Sequence, residues 1–285
     1  EEEHEDEHGD DHGDEHGEVD YYNIDDTTSS FAVTLGRSLS DNLDVSLGYA
    51  SVERLPSSIE LFMNGPHMAT GRFEVGDPNL NSETSNNFDI TFNFDNGDFY
   101  AYASFYITDV DNYIALIDEE EEDHMDEDEH HEDEDEHHED EDEHDDHGNL
   151  IHANYMQKDA EFDGYEIEFG RSFDLGSGEL ALSFGRDVVN AEFADGHNVP
   201  RINPARNIYS LVYTQDDLLF KLMLKDVEKQ NDFGEGETAT DSYQMLNTRL
   251  TKTFNAMGNG KLKVSLFANN LLDEVARNHS SFVKD

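Results

Sequence analysis

Apolar and polar residues alternate with a period of two along much of this chain. Leu43, Val45, Leu47 and Tyr49 are interleaved with Asp44, Ser46, Gly48 and Ala50, and Phe88, Ile90, Phe92 and Phe94 with Asp89, Thr91, Asn93 and Asp95. The spacing returns at Tyr165, Ile167, Phe169, at Leu180, Leu182, Phe184, at Phe220, Leu222, Leu224 and at Leu262, Val264, Leu266. A side-chain period of two belongs to a β-strand with one apolar face. The pattern predicts ten strands, over residues 29–40, 43–54, 82–95, 98–117, 150–174, 178–192, 203–215, 218–231, 241–254 and 260–272.

These strands are long. A soluble sandwich uses strands of roughly 5 to 6 residues, whereas a tilted membrane-crossing strand needs about 9 to 11. The connections alternate in kind, with brief turns at 40–42, 95–97, 175–177, 215–217 and 255–259 and long loops at 55–81, 118–149, 193–202, 232–240 and from 273 onward. Outer-membrane barrels place short turns in the periplasm and long loops outside. The expected fold is all-β, an antiparallel transmembrane β-barrel in part, with long extracellular loops. A soluble β-sandwich or β-helix with acidic insertions is the alternative that alternation alone leaves open. Tyr21, Tyr22, Tyr49, Phe99, Tyr100, Tyr113 and Tyr155 lie near strand ends, placed either for aromatic girdles or as ordinary strand formers.

Composition sharpens the picture. The chain has 285 residues, 35% of them hydrophobic, and a formal net charge of -52, which does not suit an ordinary water-soluble core. The charge is concentrated. Residues 1–18 contain 11 acidic side chains and four His, and residues 118–147 contain 22 acidic side chains, seven His and Met125. The expected organisation is a partial barrel over 1–285 with His/acidic extracellular loops at 1–18 and 118–148. The absence of Cys excludes thiolate metal sites, disulfides and cysteine nucleophiles. No apolar run approaches the roughly 18 to 20 residues of a membrane helix. The N-terminus lacks an initiator Met and a signal-peptide core, so the sequence reads as a fragment or processed product that begins inside a loop. An acidic chain without a basic patch argues against a nucleic-acid partner.

The tracts carry the candidate chemistry. Imidazole and carboxylate together match the ligand preferences of zinc, and also of nickel, cobalt and copper(II). His4, His8, His12 and His16 recur every four residues, a helical spacing opposed by Gly9, Gly13, Gly17 and dense like charge. The second tract contains His124, then HHEDEDE twice, at 130–136 and 137–143, which supplies His130, His131, His137 and His138, and ends with His144 and His147. A heptad without an apolar seam is no coiled coil. Adjacent His among many carboxylates suit several labile ions and concentrate cations electrostatically. Nearby anions raise imidazole pKa values, so protons compete with metal near neutrality. A solvated charged loop that binds nothing specific is the competing reading, and eleven His in the two tracts weigh against it. Calcium rivals for all-carboxylate stretches but has no use for imidazole.

Residues 53–80, ERLPSSIELFMNGPHMATGRFEVGDPNL, followed by Asn81, Ser82, Glu83 and Thr84, strongly resemble the loop and following strand in the barrel of TonB-dependent outer-membrane receptors. The resemblance rests on Arg54, Pro56, Glu60, Leu61 and Phe62, then Gly76, Pro78, Leu80 and Glu83. It continues at FYITDVDNYIAL (105–116), FDGYEIEF (162–169) and ANNLLDEVARNHSSFVKD (268–285). NGPHMATGRFEVG and RNHSSFVKD look most like the branch associated with zinc uptake, whose members often have His-rich surface loops. The resemblance implies a barrel of 22 strands, of which about ten are here, filled by an N-terminal plug that is absent from this sequence. It also implies a TonB complex as energy-supplying partner through that plug, and outer-membrane lipid around the barrel.

Four isolated His remain: His67 in the GPH segment, His152, His197 and His279 in RNHSSF, all on the side of the long loops. They are candidates for a more ordered site fed by the tracts, with Glu74, Asp77 or Met68 as co-ligands. No nucleophile elbow, glycine-rich phosphate loop or HExxH pair occurs, which argues against an enzyme. The reading is a receptor that captures and imports divalent metal ions, zinc first, as transported ligand and without an organic cofactor. The rivals are a siderophore, haem or cobalamin receptor with an acidic loop, and a non-transporting surface metal buffer.

Overall fold

The computed structural model describes residues 27–119, 150–255, 258 and 260–282. Its strands are β1 (Phe31–Ser40), β2 (Leu43–Arg54), β3 (Asn64–His67), β4 (Arg72–Val75), β5 (Glu83–Asp95), β6 (Phe99–Asp118), β7 (Ile151–Asp174), β8 (Glu179–Phe193), β9 (Arg206–Gln215), β10 (Leu218–Val227), β11 (Tyr243–Asn255) and β12 (Lys261–Ala268). One short helix, α1 (Ser58–Phe62), lies between β2 and β3. Ten strands form an antiparallel meander in the order β1-β2-β5-β6-β7-β8-β9-β10-β11-β12, and the sheet is not closed. The ten expected strands are all present, within a few residues at each end.

Register explains why an open sheet exposes so much apolar surface. Val33 pairs Tyr49 and Leu35 pairs Leu47; Tyr49 pairs Phe88 and Leu47 pairs Ile90; Phe88 pairs Ile107 and Ile90 pairs Phe105. Directly opposed residues share a face, so these side chains form one continuous apolar surface. It continues through Phe169, Phe184 and Tyr209, whose rings follow one another at 5.3 and 5.1 Å. Leu35, Phe88, Ile107 and Leu266 are all exposed. A contiguous exposed apolar face of this size suits lipid rather than water. The opposite face carries Asp89, Thr91, Ser104 and Glu168, joined by bonds such as Tyr100 Oη to Glu168 (2.6 Å) and Thr91 to Ser104 (3.1 Å).

The apolar face stops where Asp109 and Asp163 follow Ile107 and Tyr165 in the same ladder. Beyond it the β6–β7 register shifts between Val110 and Tyr113, with Asn112 at φ 57°. Past this bulge Ile114–Asp118 are all buried. Ala115 and Ile117 join Ala160, Ala191, Phe193 and Val199 in a small core at the long-loop end. The strands thus change role, from a membrane wall to the floor of a loop assembly.

Four details differ from the expected elements. The 55–81 connection is not simple loop but holds α1, β3 and β4. β9 begins at Arg206 rather than 203, because Pro204 lacks the amide a ladder needs. β10 stops at Val227, leaving only an isolated Gln230–Thr240 bridge towards β11. Of the aromatic residues near strand ends, Tyr100 faces the polar side towards Glu168, and Tyr113 packs on Phe162 at 5.4 Å. Tyr155 bonds Glu74. These three belong to no outward girdle; Tyr21 and Tyr22 lie outside the described residues.

Candidate functional site

The 55–81 segment is built locally before it is docked. Ser57 and Glu60 form a reciprocal cap on α1, Glu60 N–H donating to Ser57 Oγ (3.3 Å) and Ser57 N–H to the Glu60 carboxylate (2.6 Å). Arg54 bridges this cap to β5 through Glu60 (2.9 Å) and Glu83 (2.9 Å). Burial acts to raise the Glu60 carboxyl, but the Ser57 amide and the Arg54 guanidinium outweigh it and hold the group below its ordinary value. Gly76 lies against the α1 backbone, where an added Cβ would sit 2.7 Å from Leu61 C and Phe62 N.

The β3–β4 hairpin then pairs, through β4, in parallel with the start of β7, Arg72 opposite Ile151 and Val75 opposite Asn154. This pairing turns Glu74 inwards until it is 1% exposed. Its carboxylate receives three groups: His67 Nδ1 at 2.8 Å and Thr70 Oγ1 at 2.8 Å on one oxygen, and the Tyr155 hydroxyl at 3.3 Å on the other. The Glu74 carboxylate engages Nδ1 and so fixes the orientation of the ring, with Nε2 as the second ring nitrogen. That is the arrangement by which carboxylates orient metal-binding imidazoles and raise their basicity. His67 itself is about half exposed, so the ring reaches solvent.

The other isolated His have separate partners. His152 stacks on Phe73, centroids 5.2 Å apart. His197 Nδ1 lies 3.0 Å from Asp195, whose carboxyl is held well below its usual range by the His197 amide, the Lys158 ammonium and the His197 ring. His279 is buried, with Nδ1 3.2 Å from Thr240 Oγ1 and Nε2 3.4 Å from Glu237. Of the three suggested co-ligands, Glu74 meets His67, Asp77 accepts from the Asn79 amide (2.8 Å), and Met68 is exposed. Among the described residues no set of three or more His, Asp or Glu is arranged around one point for a metal ion. His4, His8, His12, His16, His124, His130, His131, His137, His138, His144 and His147 lie outside the described residues.

Sequence reasoning missed Thr70 and Tyr155 around Glu74. It also missed Arg72 and Asp118, joined by two bonds of 2.6 Å. Beside them Arg201 donates to Leu116 O (2.6 Å) and stacks its guanidinium 4.3 Å from the Phe282 ring centre, while Arg72 lies 4.8 Å from the same ring. Desolvation, with Arg72 nearby, lowers the Arg201 pKa against the opposing pull of Glu237 and Asp118. A signal for these residues would have needed the β4–β7 pairing, which alternation does not reveal.

The profile of a family described as "TonB dependent receptor-like, beta-barrel" matches residues 3–271. Among solved structures, the chain is similar to the copper transporter OprC, with 17% identity over 88% of this chain and 34% of that one, at a TM-score of 0.66. It is also similar to the siderophore receptor PirA from Acinetobacter baumannii (14% identity, 90% and 38% covered, TM-score 0.56) and to the ferric-catecholate import receptor Fiu from K12 E. coli (15%, 88% and 32%, 0.54). The chain spans about a third of the length of these proteins. At such identities the likeness is one of fold, whereas the family match covers nearly all of the sequence. This chain belongs to the TonB dependent receptor-like β-barrel family.

Proposed function

We propose that this chain is part of an outer-membrane receptor that captures a divalent metal ion, zinc first, at the end of the sheet where the long connections lie, and imports it with energy from a TonB complex. That end would face outwards. The observation that carries the reading is the half-exposed His67 ring, held in orientation through Nδ1 by the buried Glu74. It lies beside the ends of β6 and β7, between which the chain runs through the His/acidic tract. The tract would gather ions, multivalently and with fast exchange, and His67 would offer an ordered donor beneath it, completed by ligands from elsewhere in the receptor. Copper(II) shares the preference for imidazole, and one structural neighbour is named a copper transporter; siderophore receptors are also among the neighbours.

Uptake of radiolabelled zinc, copper and a ferric siderophore by cells carrying the complete receptor tests the reading. Zinc uptake is expected to depend on the receptor at limiting metal and to fall on His67→Ala. Binding is expected to weaken as pH drops towards 5, because metal requires neutral imidazole. Receptor-dependent uptake of the siderophore alone would overturn the metal-ion reading; copper in preference to zinc would reassign the cargo within it.

A further inference from the structure

We propose that Arg72 is a positioning residue, clamping the hairpin that carries His67 to both stems of the His/acidic tract, so that ions gathered by the tract reach a fixed site. This rests on the metal-receptor reading above and concerns how its two parts are joined.

The tract leaves the sheet at Asp118 and returns at Ile151, and the β3–β4 hairpin is fastened at both places. At the outgoing stem, Arg72 Nε and Nη2 donate to the two Asp118 oxygens at 2.6 Å each, with both side chains buried. At the returning stem, Ile151 N–H donates to Gly71 O (3.2 Å), β4 runs parallel to Ile151–Asn154, and Phe73 stacks on His152. The stems are also tied to each other, Glu119 N–H donating to His152 O at 2.8 Å. From the clamp a continuous path leads to the site: Arg72 Nη1 donates to Thr70 O (2.7 Å), Thr70 Oγ1 donates to Glu74, and Glu74 holds His67.

A buried ion pair is a poor general stabiliser, since desolvation offsets its attraction, but its two-pronged geometry allows few alternative arrangements. The surroundings keep that geometry. Gly236, at φ +73°, lies close enough to Asp118 that an added Cβ would come within 2.8 Å of Asp118 Cβ, so the β10–β11 connection closes over the pair. Phe282 covers the Arg72 guanidinium. Water is thereby kept from the side-chain bond that fastens the hairpin to the outgoing stem.

The test is zinc uptake in cells carrying the complete receptor, with KM and maximal rate resolved and surface receptor quantified. Four forms are compared: unaltered, Arg72→Lys, a form with residues 120–149 replaced by a short Gly/Ser linker, and both changes together. Lysine keeps the charge but loses the fork; Asp118→Asn serves as a second, independent break. The clamp variants are expected to raise KM severalfold, because ions gathered by the tract no longer reach a site held at its stems, with maximal rate per surface receptor retained. The linker form is expected to raise KM similarly, and the combination no further. Unchanged KM in both clamp variants, or clamp and linker effects that multiply, overturns the proposal while leaving the metal reading in place. If the linker form itself leaves KM unchanged, the tract gathers nothing for the site and the proposal is likewise overturned, whereas the metal reading falls only if none of the forms takes up zinc.

Discussion

A carboxylate as deeply buried as that of Glu74 costs several kcal/mol unless hydrogen-bond donors surround it, and His67, Thr70 and Tyr155 supply them. The same bonds fix the His67 ring, so the burial of one residue and the orientation of another are coupled. Replacing Glu74 by Ala is expected to weaken zinc binding by the purified receptor about 10- to 100-fold, measured by competition against a chelating dye. Glu74→Gln, which retains an acceptor for Nδ1–H, is expected to fall between. A second residue-scale expectation concerns Asp195. Its folded pKa is depressed, so the Asp195 bonds to Lys158 and His197 contribute stability that is complete above the ordinary carboxylate value near 4. That contribution is lost as pH falls through the lower folded value. Hydrogen exchange of the His197 amide is expected to hold steady from pH 7 to about 5 once corrected for intrinsic rate, with protection lost only in stronger acid. His67 and Glu74 were both nameable from sequence, because a His and a Glu in a recognisable loop are visible letters. Tyr155 stood out only as an aromatic residue near a strand end, because its approach to Glu74, 81 residues away in the chain, depends on the β4–β7 pairing.

At the scale of elements, the long strands were legible because each repeats its period several times and each brief turn interrupts it. β3 and β4, four residues each, are too short to display a period, and β4 runs parallel to its partner across a sequence that alternation cannot bridge. The cap on α1 was a missed opportunity: Ser57 followed by Glu60 three residues later is a helix-start signal, hidden among loop residues. Gly76 makes this element-scale packing testable. A Cβ added there would meet the α1 backbone at 2.7 Å, which cannot yield as a flexible side chain would. Gly76→Ala is expected to destabilise the 55–81 segment by about 1 to 3 kcal/mol, read as faster proteolytic cleavage there. The strands on either side should keep their heat resistance, because their ladders do not involve this contact.

At the scale of the molecule, one face for lipid and one polar face divide the wall, while the bulge in β6 separates that wall from a loop assembly with its own small core. The sheet and the tract are therefore separable: the linker form lacking 120–149 is expected to insert and to migrate as a folded barrel in the complete receptor, checked by heat-modifiable electrophoresis. Attraction of cations to a polyanion is screened over roughly 8 Å at physiological salt. The advantage of the intact tract over the linker form in zinc uptake is thus expected to shrink as ionic strength rises. The parallel pairing of β4 with β7 has a further consequence, for the order in which the protein is made. β4 precedes the tract in the chain, but the strand it docks on follows it. Until β7 has emerged and taken its place beside β6, Glu74 has no Tyr155 to meet and the hairpin has nothing to lie against. The corner that joins His67, Glu74 and Tyr155 is consequently a late product of biogenesis, completed only after the wall beneath it stands, and a nascent chain with β7 unpaired cannot hold those groups in their final geometry.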